Sequence, residues 1–187
     1  MKRLLLAISL LVAPCSHPQA ADAPRPWRAD HTTGTVGFSG THAGETFRGI
    51  FTQWENTIIL DPAAPANGRI SARIVLSSAR TGNAMYDGTL PQADWFNVKA
   101  HPDGTFVSSS LNENADGTYT VSGVLTLRGI AQPIRFPLSI TPADDGSLEV
   151  KGEFSIDRLA YGIGAGSDPT SEWVGRNIGV QLDLTAR

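Results

Sequence analysis

Apolar and polar residues alternate in short runs along most of this 187-residue chain, and no other feature constrains its fold as tightly. Tyr119, Val121, Gly123, Leu125 and Leu127 alternate with Thr118, Thr120, Ser122, Thr126 and Arg128, while Ile70, Ala72, Ile74 and Leu76 alternate with Arg69, Ser71 and Arg73. The pattern returns in Ile134-Phe136-Leu138-Ile140, in Leu148-Val150-Gly152-Phe154-Ile156 and in Ile178-Val180-Leu182-Leu184. Successive side chains of a strand point to opposite faces, so each run reads as a strand with one buried face. Weaker strands fall near 35–39, 46–54, 56–60 and 105–110. Turn residues separate them at Asp61-Pro62, Asn67-Gly68, Asp103-Gly104, Asp116-Gly117, Arg128-Gly129 and Asp144-Asp145-Gly146. About eight or nine such strands make an antiparallel sandwich, or a barrel wide enough to hold one ligand.

Two stretches break the rhythm. From Ser77 to Val98, Asn83-Ala84-Met85-Tyr86 and Leu90-Pro91-Gln92-Ala93-Asp94-Trp95-Phe96 read as short helical turns, a lid or floor for the barrel. The second stretch, 167–175, reads as a short helix with Ser167 or Asp168 as N-cap and Pro169 in the first position. Before it stand Gly162, Gly164 and Gly166. A phosphate-binding loop needs a parallel strand–loop–helix context and usually a Lys, neither of which is present, so the glycine row reads as a bend across a barrel rim. An anion at the 167–169 helix start remains open at this point.

The N-terminus carries Lys2 and Arg3, an apolar run from Leu4 to Ala13, and then small residues, the layout of a secretory signal peptide over residues 1–21. The expected location is the periplasm, with residues 22–187 as one domain. Val12-Ala13-Pro14-Cys15 resembles a lipoprotein box, but Pro14 stands where a small residue belongs, so anchoring at Cys15 is the weaker alternative. Cleavage removes two cations and no anions, taking the net charge from −3 to −5, which argues against nucleic acid as partner. No transmembrane span is expected in the mature chain. Its histidines, His31, His42 and His101, lack metal-ligand spacing, and there is no Gly-x-Ser-x-Gly elbow, so neither a metal site nor a catalytic residue is assigned.

The aromatic residues Phe38, Phe47, Phe51, Trp54, Trp95, Phe96, Phe106 and Phe154 are spread over strands and excursion. Filling a core is their commonest fate. Gly123 and Gly152, on apolar faces where a filled core would carry a side chain, tilt the balance toward an open interior.

The order of motifs is more specific than any one of them. The stretches at 81–109, 119–140, 154–166 and 180–186, with Gly123-Val124-Leu125-Thr126-Leu127-Arg128-Gly129 before Pro133, and Trp27 and Asp30 at the start, together resemble the YceI-like family of periplasmic polyisoprenoid-binding proteins. The resemblance implies an all-β, lipocalin-like antiparallel β-barrel of about eight strands with one or two short helices, and no enzyme. It implies an apolar lipid ligand of polyisoprenoid, quinone or fatty-acyl type and no further cofactor, and it leaves room for a homodimer. Candidate ligand-binding residues are Phe38, Phe47, Phe51, Leu90, Trp95, Phe96, Phe106 and Phe154. The alternative is a barrel with a filled core, a periplasmic structural or interaction module without ligand.

Overall fold

The structure, a computed structural model, describes residues 26–60 and 67–187. The leader, Cys15 and the Asp61-Pro62 turn lie outside the described residues. The described strands are β1 (Pro26–Asp30), β2 (Gly34–His42), β3 (Glu45–Phe51), β4 (Trp54–Ile59), β5 (Arg69–Val75), β6 (Ala79–Arg80), β7 (Asp103–Glu113), β8 (Tyr119–Leu127), β9 (Ile130–Pro142), β10 (Leu148–Asp157) and β11 (Asn177–Ala186). They form one curled antiparallel sheet, a half-barrel, in the order β1-β4-β5-β7-β8-β9-β10-β11-β2-β3-β6.

Among the described residues the sheet has eleven strands, two more than the nine stretches read as strands from the sequence. The two unforeseen strands are β1, in which only Ala29 is fully buried, and β6, two residues long. Neither is long or regular enough to show an alternation. Tight hairpins do much of the ordering. Between β8 and β9, Arg128 (φ 50°) and Gly129 (φ 73°) both adopt the left-handed region, as the two central residues of a type I′ turn must. Asp103-Gly104, in contrast, is no turn: it opens β7, and Gly104 leaves room for Leu127 on β8, whose Cδ2 would lie 2.7 Å from an added Cβ.

The half-barrel is drawn together at two places. Backbone bonds between Arg28 and Arg187, 2.7 and 2.8 Å, tie β1 to the end of the chain after β11. Consecutive strands β3 and β4 do not pair with each other, but Thr52 N–H donates to Ser78 O (3.1 Å) and Val75 N–H to Gln53 O (3.0 Å), stitching that gap. Inside, the alternating faces meet as anticipated: Ile70, Val121, Leu125, Phe136, Leu138, Val150 and Leu184 are all buried in one core cluster.

The excursion contains α1 (Ala84–Thr89), capped by Asn83, whose Oδ1 accepts from Met85 and Tyr86 N–H. Residues 90–100 continue as turns. The expected helix over 167–175 does not form. Ser171 sits at φ 60°, which breaks any helical run, and the Asp168 carboxylate takes the N–H groups of Glu172, Trp173 and Val174 as a loop cap instead.

Candidate functional site

The lumen of the half-barrel holds a cavity of about 160 Å³, and all eight residues singled out from the sequence line it. They fall into two aromatic strips. Phe38 and Phe51 lie 5.1 Å apart between centroids, and Phe51 meets Phe96 at 6.1 Å. Across the lumen Phe106 meets Phe136 at 5.5 Å, and Phe136 stacks on Phe154 at 4.4 Å. Phe136, 5% exposed, was not among the candidates, although it shares the inward face of β9 with Ile134 and Leu138. Trp54 also lines the cavity and likewise was not among the candidates.

The space survives among so many rings because several lie flat against the wall. Phe38 faces Gly49 across the β2–β3 ladder, and a Cβ on Gly49 would collide with the Phe38 ring. On β8, a Cβ on Gly123 would come within 2.6 Å of Phe106 Cε2. Gly123 therefore seats a ring and is not itself the opening that the sequence suggested. Gly152 likewise accommodates Leu138, whose Cδ1 would be 2.9 Å away. The absent side chains let neighbouring groups recline, and the emptiness lies in the middle of the lumen.

A second cavity of about 200 Å³ shares Phe47, Leu90, Trp95 and Val174 with the first and adds His42, Met85 and Tyr86 from the β2 end and α1. This is the mouth. Tyr86 links α1 to the wall: its hydroxyl lies 2.8 Å from His42 Nδ1, and its ring is 5.8 Å from that of Phe47. Met85, 61% exposed, lines this second cavity, and Trp173, 60% exposed, directly precedes its lining residue Val174.

The loop after β10, which meets the excursion at Asp94, is organised by Arg158. Only 1% exposed, Arg158 donates from Nε to Gly175 O (3.2 Å), from Nη1 to Ile163 O (2.7 Å), and from Nη2 to Val174 O (2.8 Å) and Asp168 Oδ2 (2.7 Å). Its guanidinium also lies 5.9 Å from the centre of the Trp95 ring. The Val174 N–H above all, then those of Trp173 and Glu172 and the Arg158 charge, hold the Asp168 carboxyl below its ordinary value against the cost of burial.

The glycine row has its own answer. The N–H groups of Gly166 and Ser167, each 2.8 Å away, donate to the two oxygens of Asp94, and Ser167 Oγ adds a bond of 2.6 Å. The anion at the 167–169 position is thus the chain's own Asp94 carboxylate, and the row joins the excursion to the loop after β10. Burial raises the Asp94 pKa, but the Ser167 hydroxyl and these backbone groups outweigh it and leave it lowered. Among the described residues no group of three or more His, Cys, Asp or Glu is placed to hold a metal ion, and no helix is long and apolar enough to cross a membrane.

Trp95 and Phe96 differ in role. Phe96 is 8% exposed and belongs to the core, whereas Trp95 is half-buried and lines both cavities. Phe96→Ala is expected to cost about 3–5 kcal/mol. Trp95→Ala should leave the thermal midpoint within a few degrees yet accelerate exchange of an apolar fluorophore, measured by stopped flow; equal effects of both substitutions on stability would contradict this division.

A family model for the YceI-like domain matches residues 27–186. A UPF0312 protein of Pseudomonas savastanoi pv. phaseolicola is 30% identical over 135 residues, covering 72% of this chain and 70% of the relative. The crystal structure of Burkholderia cenocepacia BcnA superposes with a TM-score of 0.80 at 26% identity, over 85% of this chain and 99% of that one. A polyisoprenoid-binding domain from Saccharophagus degradans, implicated in plant cell wall breakdown, superposes with a TM-score of 0.69 at 14% identity, over 88% and 98% of the two chains, a likeness of fold.

Proposed function

The chain belongs to the YceI-like domain family, and from that premise we propose that it binds a long apolar lipid, of polyisoprenoid, quinone or fatty-acyl type, inside the half-barrel. One observation carries the reading: the lumen cavity is walled almost entirely by apolar side chains, and the one Arg or Lys among its described lining residues, Arg158, is already matched by Asp168. A wall of this kind stays dry, and cavities of about 150 Å³ lined this way take up small apolar molecules. Each methylene transferred from water contributes about 0.8 kcal/mol, part of it spent on ordering the chain. The polyisoprenoid-binding description of the Saccharophagus degradans domain supports the same ligand class.

The rest of the proposal is a setting. Residues 1–21 direct export to the periplasm, where the mature chain acts as a lipid carrier or store, with the mouth beside Met85 as the entry. The filled-core alternative loses ground to the cavity. Uptake of a solvatochromic apolar fluorophore by the delipidated protein tests the reading: saturable binding with a blue shift is expected, competed by a fatty acid or a prenyl alcohol. Absence of saturable uptake would contradict it.

A further inference from the structure

The excursion is held to the barrel in two different ways along its length. From Ala93 onward it is fastened: Arg128 Nη2 donates to Ala93 O (2.9 Å), Gly164 N–H donates to Asp94 O (2.7 Å), the Asp94 carboxylate takes Gly166 and Ser167, and Phe96 sits in the core. The stretch from Thr81 to Thr89 braces itself instead. Asn83 caps α1, and Asp87 Oδ1 accepts from both the N–H and the Oγ1 of Thr81 at 2.7 Å. α1 has no buried residue, and a Cβ added at Gly82 or Gly88 would meet nothing within 4 Å. Among the described residues its one hydrogen bond to the strand wall is the 2.8 Å contact between the Tyr86 hydroxyl and His42 Nδ1, whose rings meet edge to face with centroids 5.3 Å apart. A segment with so few buried contacts and a single tie opens at lower cost than the elements around it.

What this stretch covers is the mouth. Thr81, Met85, Tyr86 and Thr89 line the second cavity from its side, and His42, Phe47 and Val174 line it from the other. Phe47 and Val174 also line the lumen, whereas Tyr86 and His42 do not. We propose that residues 81–89 are a lid over the passage to the lumen, and that the Tyr86–His42 hydrogen bond is the latch that sets how fast ligand passes. The proposal rests on the lipid-binding reading and adds to it a control on exchange, whatever the ligand is. A latch slows entry and exit by the same factor, because the lid must open for both. A group that only touches the bound ligand alters exit alone.

Two measurements test it. In the first, stopped flow follows an apolar fluorophore entering and leaving the delipidated protein. Tyr86→Phe, which keeps the ring against Phe47, and His42→Leu are each expected to speed association and dissociation together by about three- to tenfold, the worth of one hydrogen bond, with thermal midpoints confirming the fold. The double variant should be no faster than either single one, since both remove the same bond. The second measurement needs no ligand. Val174, 9% exposed, lines both cavities, so a cysteine placed there by Val174→Cys lies behind the lid. Its labelling by a water-soluble maleimide, read by mass on the peptide that carries position 174, should quicken by a similar factor when Tyr86→Phe is added. Unchanged rates in both single variants, faster dissociation alone, additive effects in the double variant, or labelling that ignores Tyr86→Phe would each overturn the latch while leaving the lipid reading intact. Faster labelling in a protein that takes up no fluorophore would uphold the lid and overturn the lipid reading.

Discussion

Arg158→Met is expected to destabilise the protein by about 3–5 kcal/mol and to lower its thermal midpoint by roughly 10 °C. The side chain is 1% exposed, and it holds together a loop that forms no regular helix or strand over 162–173. Its removal leaves the carbonyls of Ile163, Val174 and Gly175 without their guanidinium donors and the Asp168 carboxylate buried beside a methionine. Arg158→Lys should recover little, because one ammonium cannot serve carbonyls lying in several directions as the planar guanidinium does. A midpoint within 2 °C of the wild type, by circular dichroism, would show that the loop does not depend on this residue.

The same loop makes stability depend on pH. Asp168 and Asp94, with Asp30, Asp87, Asp116, Asp145 and Asp157, all have carboxyls held below their ordinary value in the folded chain. A lowered folded-state pKa contributes stability that is fully present above the unfolded value, about 3.9 for Asp, and is lost as the pH falls through the folded value. The thermal midpoint should therefore fall with acidification below about pH 4 and change little between 5 and 7 on account of these groups. A series of melts checks it, with the opposite slope as the contrary result.

The second large effect concerns the cavity. Ala72 lies on β5 opposite Asn56 of β4 and Phe106 of β7, lines the lumen and is half-buried. Ala72→Trp projects an indole into space the ligand would occupy. Overpacking costs about 1–3 kcal/mol, partly offset because the ring enters an existing void, so the fold should persist. Affinity for an apolar fluorophore should drop by about a hundredfold, since most of the buried methylene contacts are lost. Unchanged affinity with a folded chain would place the binding site elsewhere.

How far the sequence carries to these statements depends on the element. Along β5 and β8 to β11 the alternation is clean, and it places the inward residues correctly. β7 is weak in the sequence for a structural reason. A register shift between Ser108 and Ser110 moves its buried positions from Phe106 and Ser108 to Leu111, so no single alternation describes it. The five strand candidates, Phe38, Phe47, Phe51, Phe106 and Phe154, converge because aromatic side chains on inward faces have only one interior to enter, and Leu90, Trp95 and Phe96 reach it from the excursion. Phe136 was legible by the same rule and was overlooked among its aliphatic neighbours.

The rim is where sequence reasoning stops. Ser167-Asp168-Pro169 carries the residue types of a helix start, and Asp168 does cap backbone N–H groups, but the deciding partner is Arg158, ten residues away and buried by the fold. Nothing local to Asp94 announces that its carboxylate will fill the glycine row.

The most direct test of the central claim is native mass spectrometry of the wild type and of Ala72→Trp, purified from cells in parallel without delipidation. The account predicts that the wild type carries a mass excess removed by organic solvent, identified in the extract as an apolar chain, and that Ala72→Trp carries none. A clean ligand-free mass in every wild-type preparation would contradict it.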